Sequence, residues 1–368
     1  MATPTEDDPA GASSDSPPDA ETPSKSGFGK EQIIATIVTV VILIFVFVRV
    51  FPQLGDYDQA WAAIQSMSTA WIVALVVATI AMVIIYVFPF QAALPGLNYG
   101  DAFMVRQTSF MISNVIPAGG AIGLGVQFGM LNGYGFGAAP STAAIGITSV
   151  WNVFVTLSLP VVAAVLLVFE GYTNGSATLI AVIGLLAVGG GIALFALMLR
   201  SEDFARKIGG YADSLIKWAA ALIKKDATPD LADGAVTFRN SVIGVVADRW
   251  GMITLANVAQ QLSQFSILYI ALLALGDGSS EATLLEALAA FAFSRLMTFI
   301  PVPPGGLGTV DAAMTAILVG FGVPNNDAMA ATLIWRGATF FPQILIGIGT
   351  FLIYQRGSRK PGHPQPAS

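Results

Sequence analysis

Apolar residues fall along this chain in long blocks separated by short polar breaks, with no alternation of wet and dry faces. Blocks at 33–51, 71–90, 142–169, 179–199, 250–275 and 327–354 are each long enough to cross a bilayer as a helix. Two further apolar stretches are interrupted in their middle. Ser113-Asn-Val-Ile-Pro-Ala-Gly-Gly-Ala-Ile-Gly123 and Phe299-Ile-Pro-Val-Pro-Pro-Gly-Gly-Leu-Gly-Thr-Val-Asp311 share the order Ile-Pro, Gly-Gly, Gly. Their helical arms are 102–112 with a return to 133, and 283–300 with 308–319; the arms of the first are too short to span about 30 Å of hydrocarbon singly. A broken helix in a membrane must be buried in protein or line a cavity, because lipid offers nothing to open backbone groups.

The pattern predicts an all-α polytopic membrane protein of six full spans plus two re-entrant helical hairpins. The hairpin breaks are Pro117, Gly119 and Gly120 in the first, and Pro301, Pro303, Pro304, Gly305, Gly306 and Gly308 in the second. Three spans separate the hairpins, so they enter from opposite sides, as in an inverted-topology repeat. Repeat one covers about 70–169 and repeat two about 250–355, within a single membrane domain at 29–355. Trp151-Asn152 and Trp335-Arg336 follow the two hairpins in parallel.

One segment keeps helical period instead of a solid apolar block. Phe204, Ile208, Tyr211, Leu215, Trp218 and Leu222 form one stripe, with Arg206, Lys207, Lys217, Lys224 and Lys225 available to the other side. The spacing predicts an amphipathic helix over 202–225, either on anionic lipid at the cytoplasmic interface or packed on the protein's own inner face. Gly209-Gly210 is expected to weaken it centrally. A short surface helix is expected at 56–68, and a polar link at 226–234 leads to the fifth span.

Composition agrees with the pattern: 55% of residues are hydrophobic, 11% are charged and mean hydropathy is +0.72. The net charge of -6 arises in the first 24 residues, where six acids stand without a base. Residues 1–28 therefore read as a disordered acidic tail without a cleavable signal, and 356–368 as a basic tail. Lys and Arg collect in the loops assigned inside and are missing from the three assigned outside, which puts both termini in the cytoplasm of a multi-pass cell-membrane protein. The chain has no cysteine, and its one histidine, His363, lies in a polar tail. Neither thiolate chemistry nor a metal site is expected, and no cofactor or nucleic-acid partner is implied.

Charges inside the apolar blocks are the candidates for function. Arg295 and Arg336 in repeat two, and Arg106 and Asn114 in repeat one, are candidate substrate-binding residues, since guanidinium binds phosphate in two-pronged fashion. The competing reading is an internal ion pair with Asp311 or Glu286. Asp311 suits the third position of a helix starting after Gly308, or a coupling role in transport. Arg106 suits either substrate or interfacial anchoring, and Asn114 either a structural tie or the cavity wall. Gln107, Asn152, Gln261 and Gln264 extend the polar set without a face that sequence can assign. No nucleotide loop or nucleophile–base pair is present, so the chain is expected not to be an enzyme.

Asn114-Val-Ile-Pro117 with Gly119-Gly120, the Pro301 to Gly308 stretch with Asp311, and Trp335-Arg336 together resemble the lysylphosphatidylglycerol synthase membrane-region family, flippase-like integral membrane proteins, over about residues 33–355. The resemblance implies movement of glycerophospholipids, hopanoids or polyprenyl-linked glycolipids. In relatives an acidic or basic residue often follows the first Pro-Gly-Gly core, where this chain has Ala121-Ile122-Gly123, and Glu is common where Asp311 stands. A soluble aminoacyl-transferase domain, found in the multiple peptide resistance factor of that family, has no counterpart, so lysyl transfer is not expected. The partner set expected is a lipid substrate, anionic lipids at the interface and an envelope-biosynthesis protein; oligomeric state is left open. The alternatives to a flippase are a lipid-binding accessory protein and an intramembrane lipid-modifying enzyme.

Overall fold

A computed structural model describes residues 57–115, 119–171, 175–222, 231–276, 280–299 and 306–357, and they are helices joined by short connections. In chain order these are α1 (Tyr57–Gln65), α2 (Thr69–Ile85), α3 (Phe88–Ala93), α4 (Tyr99–Val115), α5 (Gly119–Gly133), α6 (Ala138–Phe169), α7 (Gly175–Arg200), α8 (Glu202–Leu222), α9 (Leu231–Leu275), α10 (Leu284–Arg295), α11 (Thr309–Gly320) and α12 (Asn325–Gly357). A 3-10 turn, Leu296–Phe299, extends α10. The predicted first span at 33–51, the tail at 1–28, residues 358–368 of the other tail with His363, and Lys224, Lys225, Pro117, Pro301, Pro303, Pro304 and Gly305 lie outside the described residues.

Among the described residues, four helical stretches are long and apolar enough to cross a membrane: Thr69–Ala93, Ala138–Phe169, Leu231–Leu275 and Asn325–Arg356. They answer to the second, third, fifth and sixth predicted spans, and α7 covers the fourth. Along α2, Ile72, Val73, Val76, Val77, Ile80 and Ile84 are all exposed. Such a continuous apolar face is stable in lipid and costly in water.

Helix ends follow local chemistry. Thr283 caps α10 through a reciprocal box: its hydroxyl accepts from the Glu286 N–H at 3.2 Å, and the Glu286 carboxylate accepts from the Thr283 N–H at 2.7 Å. Before α11 the chain turns through Gly306 and Gly308, at φ +65° and +82°, where a side chain would be strained. At the other break, a Cβ on Gly119 would stand 2.9 Å from the Ser113 carbonyl oxygen, so only glycine lets α5 start against the end of α4.

Helix α9 organises the rest. It packs against α2, α3, α6, α8 and α12. On one side Phe265, Phe291, Met314 and Trp335 form a core where α9, α10, α11 and α12 meet; on the other, Phe90, Leu131, Ile147 and Ile253 join α3, α5, α6 and α9. The two tryptophans that follow the breaks both donate to this helix: Trp151 Nε1 to the Thr254 hydroxyl at 2.9 Å and Trp335 Nε1 to the Gln264 carbonyl at 3.0 Å. Arm α4 packs along α12, while arm α10 packs along α6.

One expectation is corrected here. Residues 231–234, expected as the end of a polar link, are helix, and so are 235–249 before the span expected from 250; α9 runs unbroken for 45 residues. Its early part is held by α8, which explains why it is not a loop. Gly209-Gly210 does not interrupt α8, and a Cβ on Gly209 would lie 2.6 Å from the Ala232 Cα. The glycine is where the two helices touch. Phe204 and Ile208 pack with Met198, Ala205 and Val236, and Arg206 pairs with Asp233 at 2.5 Å and Glu202 at 3.7 Å. Phe204 and Ile208 thus face protein, while Tyr211 of the same stripe is exposed. Lys207 and Lys217 remain exposed.

Candidate functional site

Arms α4 and α10 each carry one arginine toward the space between the two cores. A cavity of about 200 Å³ opens there, lined by Arg106, Ser109, Asn114 and Gln127 from α4 and α5, Gln264 from α9, Arg295 and Thr298 from α10 and its turn, and Thr339, Phe340 and Gln343 from α12. No carboxylate is among the described residues that line it. The wall is polar, yet it lies inside a protein whose outer faces are apolar. A polar ligand, water or ion can be solvated there away from lipid.

The arginines are held by their aromatic neighbours. The Arg106 guanidinium sits 4.8 Å from the centre of the Tyr86 ring and 5.9 Å from that of Phe90. That of Arg295 sits 5.8 Å from the Phe291 ring, and its Nη1 approaches the Gln264 Oε1 at 3.4 Å. In both side chains the buried Nε has no hydrogen-bond partner. Cation–ring contacts hold a guanidinium without satisfying its in-plane donors, which leaves them for an anion.

Arg336 stands differently. Its Nε donates to Asp311 Oδ1 at 2.5 Å, and its guanidinium lies 4.5 Å from the Phe340 ring and 4.9 Å from Trp335. It is behind the cavity wall, next to Thr339 and Phe340, rather than in the lining. Asp311 does two things at once: Oδ2 accepts from the Gly308 N–H at 2.8 Å while Oδ1 holds Arg336. The helix-start and ion-pair roles weighed as alternatives are therefore both present. Glu286, the other candidate acid, is engaged by the Thr283 backbone at the start of α10.

Asn114 lines the cavity, and its Nδ2 donates to the Phe110 carbonyl of its own helix at 2.8 Å and not to a neighbouring helix. Of the unassigned amides, Gln264 lines this cavity and Asn152 a second one; Gln261 donates to the Thr156 hydroxyl at 3.1 Å, and Gln107 is fully buried elsewhere on α4. Sequence reasoning missed Tyr86, Ser109, Gln127, Thr298, Thr339 and Gln343. No local signal marks these, because each faces the cavity only through the way remote helices cross.

Fold and site together define an all-helical, multi-pass membrane protein with a polar interior. A family model described as the lysylphosphatidylglycerol synthase TM region matches residues 32–347, and the chain belongs to that family. No curated protein matches it. The family is named for a synthase, so the expectation that this chain is not an enzyme is corrected: the absence of a motif in sequence is too weak to set against it.

Proposed function

We propose that this chain moves an anionic, phosphate-containing lipid, a phospholipid or a polyprenyl-linked glycolipid, between the leaflets of the cell membrane. The observation that carries the reading is the convergence of Arg106 and Arg295, from two separate interrupted helices, on one polar cavity free of lining carboxylates. Each offers a buried, unpartnered Nε, and guanidinium matches the planar spread of phosphate oxygens. The family's lipid-related membrane region agrees with a lipid substrate.

Support for two oppositely oriented re-entrant hairpins comes from the packing. Exchanging α4–α5–α6 with α10–α11–α12 converts the α4–α12 contact into the α10–α6 contact, and the α5–α6 contact into the α11–α12 contact. A two-fold exchange of this kind agrees with an internal repeat, and the inverted orientation rests on the count of spans between the two breaks. Six spans and cytoplasmic termini belong to the same reading. Arg336 would then be the reserve cation, held on Asp311 until a headgroup competes for it.

The test is translocation of headgroup-labelled phosphatidylglycerol in proteoliposomes holding wild type or Arg295→Gln. A rate lowered roughly tenfold or more is expected, the effect of losing one charged hydrogen-bonding partner. Equal rates at equal insertion and folding would overturn the assignment. The family description favours a second reading, in which the same cavity presents a headgroup for covalent modification. A mass shift in lipids recovered after incubation with the protein separates that reading from transport.

A further inference from the structure

By its place on α12, Arg336 belongs in the cavity. Thr339, Phe340 and Gln343 line it, and positions 336, 339, 340 and 343 form one stripe of that helix, at i, i+3, i+4 and i+7. Arg336 is nevertheless absent from the lining and only 8% exposed. Three side chains hold it back: Asp311 accepts from its Nε, while the rings of Trp335 and Phe340 lie 4.9 and 4.5 Å from its guanidinium.

Of the three, Phe340 alone also lines the cavity. Asp311 is anchored by the Gly308 N–H and Trp335 by the Gln264 carbonyl, each through a hydrogen bond. A phenylalanine ring makes none, so Phe340 is the cover that can turn without breaking one. Its edge-on neighbour is Phe110 of α4, with ring centres 5.5 Å apart, and Phe110 meets Tyr86 edge-on at 5.6 Å. Tyr86 in turn carries the Arg106 guanidinium. All three rings belong to the cavity wall, and they run from Arg106, which faces the cavity, to Arg336, which does not.

With the ring in place the wall offers two guanidiniums, those of Arg106 and Arg295. With the ring turned aside, Arg336 becomes the third. Leaving Asp311 strands a buried carboxylate on a backbone donor, so the move is offset only when an anion already occupies the cavity. We infer that Phe340 is a shutter: a positioning residue that withholds Arg336 from the cavity until a phosphate held by Arg106 and Arg295 draws the guanidinium past it. This rests on the lipid-phosphate reading above and adds the residue that sets how many cations the phosphate meets.

Calorimetry on the full chain in detergent tests it, with short-chain phosphatidylglycerol and inorganic phosphate as the probes. Phe340→Ala and Phe340→Leu are each measured in the wild-type background and in Asp311→Asn with Arg336→Met, which has no guanidinium to release. Phe340→Ala should tighten phosphatidylglycerol binding by about three- to tenfold in the first background and by less than about twofold in the second. Phe340→Leu keeps the bulk and loses the ring contact, so a smaller gain of the same sign is expected. It keeps the test readable should the alanine variant fail to fold. An equal change in both backgrounds means that Phe340 acts by filling space and overturns the shutter, as does the lack of a gain in both variants. If phosphatidylglycerol binding weakens in Arg295→Gln but neither Phe340 variant shows a gain that depends on Arg336, the shutter falls and the lipid site stands. If inorganic phosphate alone shows that gain, the shutter stands on a soluble anion and the lipid reading falls. If neither probe binds, both fall.

Discussion

Asp311 joins two parts of α11 and α12 through one carboxylate: Oδ1 lies 2.5 Å from Arg336 Nε, and Oδ2 accepts the Gly308 N–H that opens α11. The acid is 1% exposed and the arginine 8%. Removing the arginine alone leaves a buried carboxylate with one backbone donor, a cost of about 3–5 kcal/mol. Arg336→Ala should therefore lower the thermal midpoint of the purified protein sharply. Asp311→Asn combined with Arg336→Met, which removes both charges and keeps an acceptor for Gly308, should recover most of that loss. If the double variant melts with the single one, the ion pair is not what holds this corner.

Arg106 and Arg295 should act on transport and not on stability. Neither is bound to a described carboxylate, so replacement by Gln strands no acid and the midpoint should move by less than about 1 kcal/mol equivalent. Arg295→Lys keeps the charge but loses the fork, and its translocation rate is expected between those of wild type and Arg295→Gln. If both arginines serve one phosphate, the double Gln variant should lose less than the product of the two single losses. Strictly multiplicative losses in translocation would mean that the two act on separate steps.

Adjacent glycines in α8 should respond with opposite sign. A Cβ on Gly209 meets the α9 backbone at Ala232, whereas Gly210 has nothing within 4 Å of that position. Gly209→Val should destabilise by about 1–3 kcal/mol through overpacking. Gly210→Ala should stabilise by about 0.5–1 kcal/mol by restricting the unfolded chain. Thermal midpoints of the two variants, measured side by side, decide whether the α8–α9 crossing is close.

Gln107 is fully buried, and neither its oxygen nor its nitrogen finds a partner. Its backbone carbonyl faces Gly347, where a Cβ would come within 2.5 Å, so α4 and α12 cross too closely for the side chain to escape. Gln107→Leu removes two unpaired polar atoms at similar volume and should raise stability by about 1–3 kcal/mol. A lowered midpoint would show that this amide has a bound partner in the membrane.

Much of this architecture was readable from residues because solvent sorts them strongly. The apolar blocks, the two proline–glycine interruptions and the charges isolated beside them each mark their place without help from the rest of the chain. Asp311 at the third position of α11 followed from Gly308 alone. What was not readable depends on crossings. The Arg336–Asp311 pair was among the readings open from sequence, but that it lies behind the wall while Arg106 lines two cavities is set by how α4 meets α12 and α10 meets α6. Residues 231–249 were missed for a similar reason: they carry too much polarity for a span, and their helix is held by α8, a partner no local window contains.

Helix α9 takes indole hydrogen bonds from both halves and has no proline along its 45 residues. At 1.5 Å per residue it is about 68 Å long, roughly twice the hydrocarbon thickness. A rod of that kind has no elbow. Arm α10 packs against it directly, while arm α4 is joined to it through α12 and the Trp335 hydrogen bond, so any movement of one arginine-bearing arm relative to the other takes place around a part of the fold with no hinge of its own.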